Sequence, residues 1–480
     1  MTQTVTMPAM FGGAGTTGAA EGPGATAILP EATRGSVFAG RRYTVVDGRE
    51  VEVHPHELFN DLVLERQQRH FLSVARRALP LWGYPDDATL KLLNLTENAT
   101  YRVEAAGLPT IIMRVHRLDY AAKESIQVEL EWLEALARRT DLRLAAPIRA
   151  RNGEYVQTIA TPGLHEDRNV VCFSFVEGRA PRDSQDDTES MSGLMANLGR
   201  VSDSLTAPLV RLAASIYDKI AKGGHGPSQM TDADRELYRA IGKVAGTLRA
   251  HATQWAPAEP NIGKRIRWDW TATFGDGWNN YYGVHYWDMG SPLSRHDIEA
   301  IDAAAELMAK RLRAYGTGPG RFGLIHSDLR PGNLLVTERP VTITGGVHAG
   351  ERADDLFHRM GVLDFDDCGM GWYMTDIAGI VGFQEYRGDL DELVRCIVEG
   401  YRERWDLSPV EEAEIPTFIL MRRIGLTQAL MYHLTNAAPG SNEAAEITPD
   451  LLAFYAKGTA VQARRYVREF AGRPLPEGEG

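Results

Sequence analysis

Three side chains in the last third of the sequence have the types, order and spacing that phosphoryl transfer requires. Asp328 and Asn333 lie five positions apart in LIHSDLRPGNLLV, and Asp364 follows in GVLDFDDCG. An Asp can accept the hydrogen bond or the proton of an attacking hydroxyl, while an Asn and a second Asp can hold the Mg²⁺ that bridges the ATP phosphates. Because strand-like apolar residues flank each segment, the pair predicts kinase-type chemistry with ATP and Mg²⁺ as cofactors.

These segments resemble those of the aminoglycoside phosphotransferase and choline kinase family, whose motifs read HGDLHPGN and IDFxDxG. They are still more similar to the homoserine-kinase-like and stress-response-kinase branch, where HADLRxxNLL and DFDDCGxGWxxxDLA are usual. The similarity extends over about residues 94–470. It implies an α+β, protein-kinase-like two-lobed fold, with a small antiparallel-sheet N-lobe and a large, mainly helical C-lobe. It also implies an ATP-dependent phosphotransferase with an alcohol group as acceptor.

The bulk composition is that of an ordinary soluble protein. The 480 residues are 44% hydrophobic and 24% charged, which supports a sizeable core. A net charge of −12 argues against nucleic-acid or anionic-membrane partners, because both need clustered Lys and Arg. The three cysteines have neither disulfide-framework nor zinc spacing. Without a signal peptide or a long apolar run, we expect a cytoplasmic protein whose partner is a small-molecule hydroxyl acceptor.

The chain divides into an extension and two lobes. Residues 1–40 are rich in Gly, Ala and Thr with almost no charge, and are expected to be disordered. The N-lobe, with a leading helix, is expected at 41–176, and the C-lobe at 177–480. The C-lobe would carry a helical insertion at about 182–228 and a hairpin insertion at about 337–360. The hairpin insertion could be a lid, a partner site or a neutral surface insertion.

The N-lobe must supply a cation for the α- and β-phosphates, held by an acid on the following helix. Arg114, in IIMRVHR, occupies the place where relatives have Lys or Arg. The acid is Glu129 or Glu131, and the resemblance favours Glu129 because relatives carry an acid before the Leu-x-Trp-Leu segment. The alternative is a surface Arg and a solvated helical Glu.

The nucleotide would also contact a turn and a hinge. The turn NLTENATY contains no glycine, so the Gly-rich loop of ordinary protein kinases is absent. The resemblance implies that Asn98 and Thr100 contact the phosphates instead, with an ordinary polar hairpin turn as the alternative. FSFVEGRA is the expected hinge, where the backbone groups of Ser174, Phe175 and Val176 would bind adenine.

In the catalytic loop, Asp328 is the expected general base, and His326 is expected to orient the backbone. Arg330 stands where many relatives have His. It could stabilise charge on the transferred phosphoryl group or pair with a neighbouring acid. Pro331 and Gly332 shape the turn that returns Asn333 to the metal.

In the DFDDCG segment, Asp364 is the expected metal ligand because it ends a strand. Asp366 and Asp367 could reach a second metal or a substrate group, or could serve in structural pairing. Asp376, in TDIAG, matches the aspartate of the DLA motif of relatives, which implies a buried support for the catalytic loop.

The acceptor is the least determined part of the prediction. An acidic stretch at 387–416 would suit a cationic acceptor or form solvated helix faces. A Trp and Tyr cluster at 268–287 could stack on a sugar or an amine, or pack as core. The leading hypothesis is transfer to a hydroxyl of homoserine, an amino alcohol or an amino sugar. A Ser/Thr protein or peptide kinase and a non-catalytic nucleotide-binding regulator are the alternatives.

Overall fold

The chain is described by a computed structural model. It describes residues 42–46, 49–53, 64–95, 98–117, 121–161, 167–181, 230–257, 265–275, 281–288, 290–436 and 447–476. The expected disordered extension at 1–40 and the expected helical insertion at 182–228 lie outside these residues.

The first half of the chain builds an antiparallel sheet with two helices. The strands are β1 (Arg42–Val46), β2 (Arg49–Val53), β3 (Thr89–Leu95), β4 (Asn98–Glu104), β5 (Ile111–His116), β6 (Arg143–Leu144), β7 (Pro147–Ile148), β8 (Gln157–Ile159) and β9 (Arg168–Ser174). The helices are α1 (Leu64–Ala78) and α2 (Lys123–Arg139). The sheet has the order β3-β4-β5-β9-β7, with β8 paired to β9. A core that includes Phe71, Val103 and Met113 joins α1 to this sheet.

The second half is mainly helical. Its helices are α3 (Asp232–Ala252), α4 (Trp270–Phe274), α5 (Arg295–Tyr315), α6 (Leu356–Arg359), α7 (Met374–Ile380), α8 (Leu390–Arg402), α9 (Pro409–Asn436) and α10 (Pro449–Phe470). Its strands are β10 (Arg267–Trp268), β11 (Phe322–Ile325), β12 (Leu334–Val336), β13 (Val341–Thr342), β14 (Arg352–Ala353), β15 (Met360–Val362) and β16 (Gly369–Trp372). The predicted α+β, two-lobed kinase-like fold is confirmed.

Two small sheets position the catalytic segments. β11 pairs with β16, and β12 pairs with β15, so the catalytic loop joins two strands that are each fixed by an antiparallel neighbour. The metal segment follows β15 and returns into β16. β6 pairs in parallel with β15, which ties the chain just after α2 to the catalytic sheet.

Local sequence signals account for the starts of several helices. Thr231 and Asp234 form a capping box at the start of α3, with each side chain accepting from the backbone N–H of the other. The aromatic-rich segment after Asp269 begins with the short helix α4. The Asp269 carboxylate accepts from the Thr271 N–H at 3.0 Å and so caps this helix.

Among the described residues, no helix is long and apolar enough to cross a membrane.

Candidate active site

A cavity of about 800 Å³ lies between the two lobes. Eleven of the predicted site residues line it: Asn98, Thr100, Arg114, Glu129, Ser174, Phe175, Val176, Asp328, Arg330, Asn333 and Asp364. His326 and Asp376, predicted as supports, are buried behind it. Residues that are up to 266 positions apart in the sequence are therefore gathered at one site.

Asp376 holds the catalytic loop by its backbone. Its carboxylate accepts from the N–H of Ser327 at 2.7 Å and of His326 at 3.1 Å. The His326 imidazole lies 2.9 Å from the Leu363 carbonyl oxygen, which links the catalytic loop to the metal segment. Ser327 has φ 75°, a conformation that costs a non-glycine residue energy and that these bonds maintain. The geometry matches the supporting roles expected for His326 and Asp376.

Asp328 receives hydrogen bonds from three side chains. Asn333 Nδ2 donates to Oδ2 at 2.7 Å, Arg330 Nε donates to Oδ2 at 3.0 Å, and Arg422 Nη2 donates to Oδ1 at 2.6 Å. Burial alone would raise the pKa of the Asp328 carboxyl, but Arg330 and Arg422 outweigh it and lower this pKa to about 2. Of the two roles left open for Arg330, pairing with a neighbouring acid is the one seen here.

Arg422 was missed by sequence reasoning. It lies on α9, 94 residues after Asp328, and belongs to neither catalytic motif. A signal was present, because two adjacent arginines interrupt the apolar segment IPTFILMRRIGL. A charged residue within such a helix usually has a specific partner.

The metal segment brings the carboxylates of Asp364 and Asp366 close together. Asp364 has φ 62°, and its pKa is raised well above the usual value, first by the charge of Asp366 and then by burial. Asn98 Nδ2 donates to Asp366 Oδ2 at 3.0 Å, and Arg265 donates to the Asp366 carbonyl at 2.5 Å. Two crowded carboxylates favour a bound cation, and oxygen ligands are what Mg²⁺ prefers. Both Asn333 bonds to Asp328 use the amide nitrogen, which leaves the amide oxygen for a metal. The donor set therefore fits Mg²⁺.

Arg114 and Glu129 form a buried ion pair. Arg114 Nη2 lies 2.5 Å from Glu129 Oε1, and the two side chains are 7% and 1% exposed. Burial opposes the charge of Arg114, but Glu129 and then Asp366 raise its pKa. Glu131, the other candidate acid, instead accepts from Gln127 at 3.0 Å. The geometry thus selects Glu129 over Glu131.

Asn98 and Thr100 lie in a strand and not in the turn that was expected to cover the phosphates. Both belong to β4, where Thr100 is in register with Arg114 of β5. Antiparallel neighbours directly opposite each other lie side by side, so Thr100 is held next to the cation. The Asn98 side chain already bridges the Arg117 N–H and Asp366, and so it links the N-lobe to the metal segment.

At the hinge, Ser174 is occupied by structural bonds. Its N–H donates to the Ala146 carbonyl at 2.8 Å, and its Oγ accepts from the Ala146 N–H at 2.9 Å. Phe175 and Val176, which follow the strand, are therefore better candidates for backbone contacts with adenine. Gly178, which has φ 154°, lies directly against β12. A Cβ at position 178 would lie only 2.9 Å from the Val336 carbonyl oxygen.

The hairpin insertion does not line the cavity. It contains β13, β14 and α6, and its Gly346 N–H donates to the Arg138 carbonyl at the end of α2, at 3.1 Å. His358 of α6 lies 3.3 Å from Asp141, which also accepts from Arg404 at 2.7 Å. The insertion thus braces the helix that carries Glu129, which argues against the lid alternative.

The acidic stretch at 387–416 does not line the cavity either. Several of its acids pair with arginines instead, as in the buried pairs Arg249–Glu411 and Arg311–Glu414 and the partly exposed pair Arg235–Glu392. The stretch therefore does not form an acidic pocket at this cavity. Some of its acids, such as Glu399 and Glu412, lie on exposed helix faces, whereas Glu411 and Glu414 are buried in ion pairs.

Part of the aromatic cluster lines the cavity, through Trp268, Tyr281 and Tyr282, whereas Tyr286 packs in the core. The rings of Trp268 and Tyr281 lie 4.7 Å apart, and the Tyr281 ring contacts that of Tyr282 at 4.8 Å. Trp268 Nε1 donates to the Asp367 carbonyl at 2.7 Å, and Tyr281 Oη lies 3.4 Å from Asp367 Oδ1. Asp367 thus presents a carboxylate beside two aromatic rings, next to the metal segment.

The fold and the site define a two-lobed kinase of the kind that phosphorylates hydroxyl groups. The sequence profile of the phosphotransferase enzyme family (APH) matches residues 89–345. The chain belongs to this family, and the predictions of the family and of an enzyme that phosphorylates an alcohol group are confirmed.

Two solved structures resemble the chain over most of its length. A microcompartment-associated aminopropanol kinase is 29% identical, with a TM-score of 0.60, over 84% of this chain and 99% of that one. An amicoumacin kinase in complex with AMP-PNP and Ca²⁺ is 16% identical, with a TM-score of 0.52, over 83% of this chain and 96% of that one. A comparison with curated protein sequences gave no match.

Proposed function

We propose that the protein transfers the γ-phosphate of ATP, in the presence of Mg²⁺, to a hydroxyl of a small metabolite that carries an ammonium group. An amino alcohol, an amino sugar and homoserine all fit this description. The observation that carries the proposal is the arrangement of Asp328, Asn333 and Asp364 around one cavity that also contains Arg114. Positioning and charge neutralisation are what phosphoryl transfer demands of a protein.

The residues divide the work as follows. Arg114, aligned by Glu129, neutralises phosphate charge, while the backbone at Phe175 and Val176 receives the adenine. Asp364 and Asn333 would hold Mg²⁺, which supplies further charge neutralisation at the phosphates when bound. Asp328 orients the acceptor hydroxyl. A carboxylate with a pKa of about 2 is a weak base. Orienting the hydroxyl is therefore the main role of Asp328, and accepting its proton is secondary.

The ammonium group is assigned to the Asp367 side of the cavity. A carboxylate and the faces of Trp268 and Tyr281 form the kind of surface that binds a cation. The resemblance to an aminopropanol kinase at 29% identity supports an acceptor of this chemistry.

The test is ADP formation together with detection of the phosphorylated product by mass spectrometry. The acceptor panel pairs each amino alcohol, amino sugar and homoserine with its counterpart lacking the amino group, and adds a Ser/Thr peptide. We expect transfer to one or more of the amines and at least about tenfold weaker transfer to their deaminated counterparts, as for loss of a charged contact. Equal transfer to both would contradict the ammonium assignment.

A matched pair of variants tests the catalytic site. Asp328→Asn should lower transfer about 10²–10⁴-fold, the range for loss of an acid–base group, while AMP-PNP still binds. Asp87→Asn, at an exposed position outside the cavity, should keep wild-type turnover. Near-normal turnover by Asp328→Asn would refute the site assignment.

A further inference from the structure

Gly425 lies inside the long helix α9 at a place where packing does not require a glycine. Elsewhere glycines allow helices to touch: a Cβ at Gly242 or Gly400 would lie 2.0 or 1.8 Å from a carbonyl oxygen of the facing helix. A Cβ at Gly425 would have Thr273 Oγ1 at 3.7 Å as its nearest neighbour, which is ordinary contact. Glycine weakens a helix interior relative to alanine, so its presence where alanine fits points to close approach of a ligand to the backbone.

The space over Gly425 is part of the cavity and continues along α9. The helix residues that line it recur with helical spacing: Phe418, Met421, Arg422, Gly425, Leu426, Ala429, Leu430, Tyr432 and His433. Arg422 marks the reaction end, because it contacts Asp328. At 1.5 Å per residue, His433 lies about 16 Å further along the axis. The cavity thus extends well past the phosphoryl-transfer site.

Opposite α9 runs a wall of aromatic rings. Trp268 and Tyr281 begin it beside Asp367, and Tyr282 follows at 4.8 Å from Tyr281. The Tyr282 ring then lies 6.0 Å from each of the rings of Tyr432 and His433. The rings connect the proposed ammonium site to the far end of the cavity, where Ile447 and Leu451 also line it.

The part of the cavity between α9 and the aromatic rings, here called the channel, becomes less polar with distance from the reaction end. The reaction end carries Arg330, Arg422 and several carboxylates. Among the described lining residues of α9 beyond Arg422, no side chain is a carboxylate, a Lys or an Arg. A surface of Leu, Ala, Ile and aromatic rings gains stability from covering apolar ligand atoms.

Phe383 also indicates that an apolar part of a ligand binds in this cavity. It lines the cavity and has φ 65°, which is a genuine outlier for a bulky side chain. The two other described non-glycine residues with positive φ are Ser327 and Asp364, which both belong to the catalytic machinery. Such strain concentrates at sites that hold ligands. The Phe383 ring, 5.2 Å from that of Tyr455, adds an apolar surface to the acceptor side.

We propose that the acceptor carries an apolar chain in addition to its hydroxyl and ammonium groups, and that this chain crosses Gly425 toward Tyr432 and His433. The inference rests on the proposed function and narrows its substrate class to amino alcohols with a hydrocarbon substituent. The hydroxyl lies at Asp328, the ammonium group at Asp367, and the chain between α9 and the aromatic wall.

The experiment uses 2-amino-1-alkanols with chains of two to eight carbons. For the wild-type enzyme, kcat/KM should rise by up to about fourfold per added methylene, the value of one buried CH₂. Gly425→Leu fills the channel, so the ratio of kcat/KM for the longest to the shortest acceptor should fall toward one. Gly472→Leu, at an open position outside the cavity, should keep the wild-type ratio.

Gly425→Ala guards against misfolding of the leucine variant. Its methyl group fits without a close contact and favours the helix, so Tm should rise while the ratio falls by a smaller factor. A flat chain-length dependence in the wild type, with the short amino alcohol phosphorylated, overturns this inference and leaves the proposed function standing. An unchanged ratio in both Gly425 variants also overturns it. If no amino alcohol, short or long, is phosphorylated but an amino sugar or homoserine is, the inference is overturned and the proposed function stands. If no acceptor of the panel is phosphorylated, the proposed function is overturned and the inference with it.

Discussion

Arg422 and Asp328 are joined by a 2.6 Å contact between a guanidinium Nη2 and a carboxylate Oδ1. The same guanidinium donates through Nη1 to the Ser327 carbonyl at 2.7 Å, so α9 holds both the backbone and the side chain of the catalytic loop. The two side chains are 13% and 22% exposed, which limits screening by water. Helix α9, which lines the cavity, therefore holds the catalytic carboxylate in place through Arg422.

Arg422→Met removes both bonds while keeping an unbranched apolar stem. We expect kcat to fall about 10²-fold, because displacement of a catalytic group by about 1 Å costs that much. The KM for ATP should change little, because the residues proposed to contact the adenine and the α-phosphate lie in the N-lobe, whereas Arg422 lies on α9. Steady-state kinetics with varied ATP and acceptor separate the two effects. Arg402→Met, which removes an exposed pair with Glu412, is the matched control. A kcat within about twofold of wild type would show that Arg422 does not position Asp328.

The pH dependence of the same variant tests the electrostatic role of the arginines. Burial favours the neutral Asp328 carboxyl, but Arg330 and Arg422 lower its pKa to about 2 from the usual value of 3.8. Because the folded pKa is depressed, the associated stability is present above about pH 4 and is lost as pH falls toward about 2. Without Arg422 the pKa should rise, so the acid limb of kcat/KM should move to higher pH. Profiles from about pH 2.5 to 7, over the range in which both proteins stay folded, that superimpose for wild type and Arg422→Met would contradict this assignment.

Much of the site could be predicted because its signals are local in sequence. Asp328 and Asn333 are five residues apart on one loop, and Arg114 and Glu129 sit on adjacent elements whose strand and helix periods are clear. Local spacing placed these residues on a strand and the helix that follows it, and the resemblance to relatives then chose Arg114, and Glu129 over Glu131.

The contacts of the site that the sequence did not predict depend on tertiary packing. The contacts of Asp328 with Arg422 and of Asn98 with Asp366 span 94 and 268 residues, and no spacing rule connects such positions. The acidic stretch at 387–416 was misread for the same reason. Glu414 looks solvated in the sequence, but Arg311 of α5 lies opposite it in the fold. A single sequence gives charges without their partners.

The Arg114–Glu129 pair should contribute to both stability and nucleotide binding. Glu129→Gln leaves the Arg114 charge buried without its partner, which typically costs about 3–5 kcal/mol in unfolding free energy. The KM for ATP should rise about tenfold or more, through loss of a charge-assisted hydrogen bond that aligns Arg114. Denaturant unfolding and ATP titration measure the two effects, with Glu131→Gln on the same helix as control.

A double variant then separates packing from function. Arg114→Met with Glu129→Leu removes both charges and should regain most of the lost stability, because apolar replacements of a buried ion pair are often neutral. The KM for ATP should stay raised, since no cation remains on β5 to meet the phosphates. Recovery of nucleotide affinity together with stability would show that the pair is only structural.

Asp364→Asn should have opposite effects on the metal-free and the metal-loaded protein. The charge of Asp366, followed by burial, raises the pKa of Asp364. A raised carboxyl pKa means that stability falls as pH rises from about 4 through that pKa, and the amide removes this penalty. Asn also tolerates the φ of 62° better than most residues. Without Mg²⁺, Tm at pH 8 should therefore rise above that of wild type.

With Mg²⁺, the same variant should bind nucleotide more weakly. Loss of a ligand carboxylate is expected to reduce Mg²⁺-dependent AMP-PNP affinity by at least about tenfold, since even supporting groups at metal sites contribute that much. Calorimetric titrations with Mg²⁺ and with EDTA isolate the metal-dependent part of the affinity, and thermal scans give Tm under both conditions. Asp355→Asn, at a partly exposed carboxylate outside the cavity, is the control. A purely structural Asp364 would give a lower Tm in EDTA and an unchanged dependence on Mg²⁺, because its loss would remove packing contacts without removing a metal ligand.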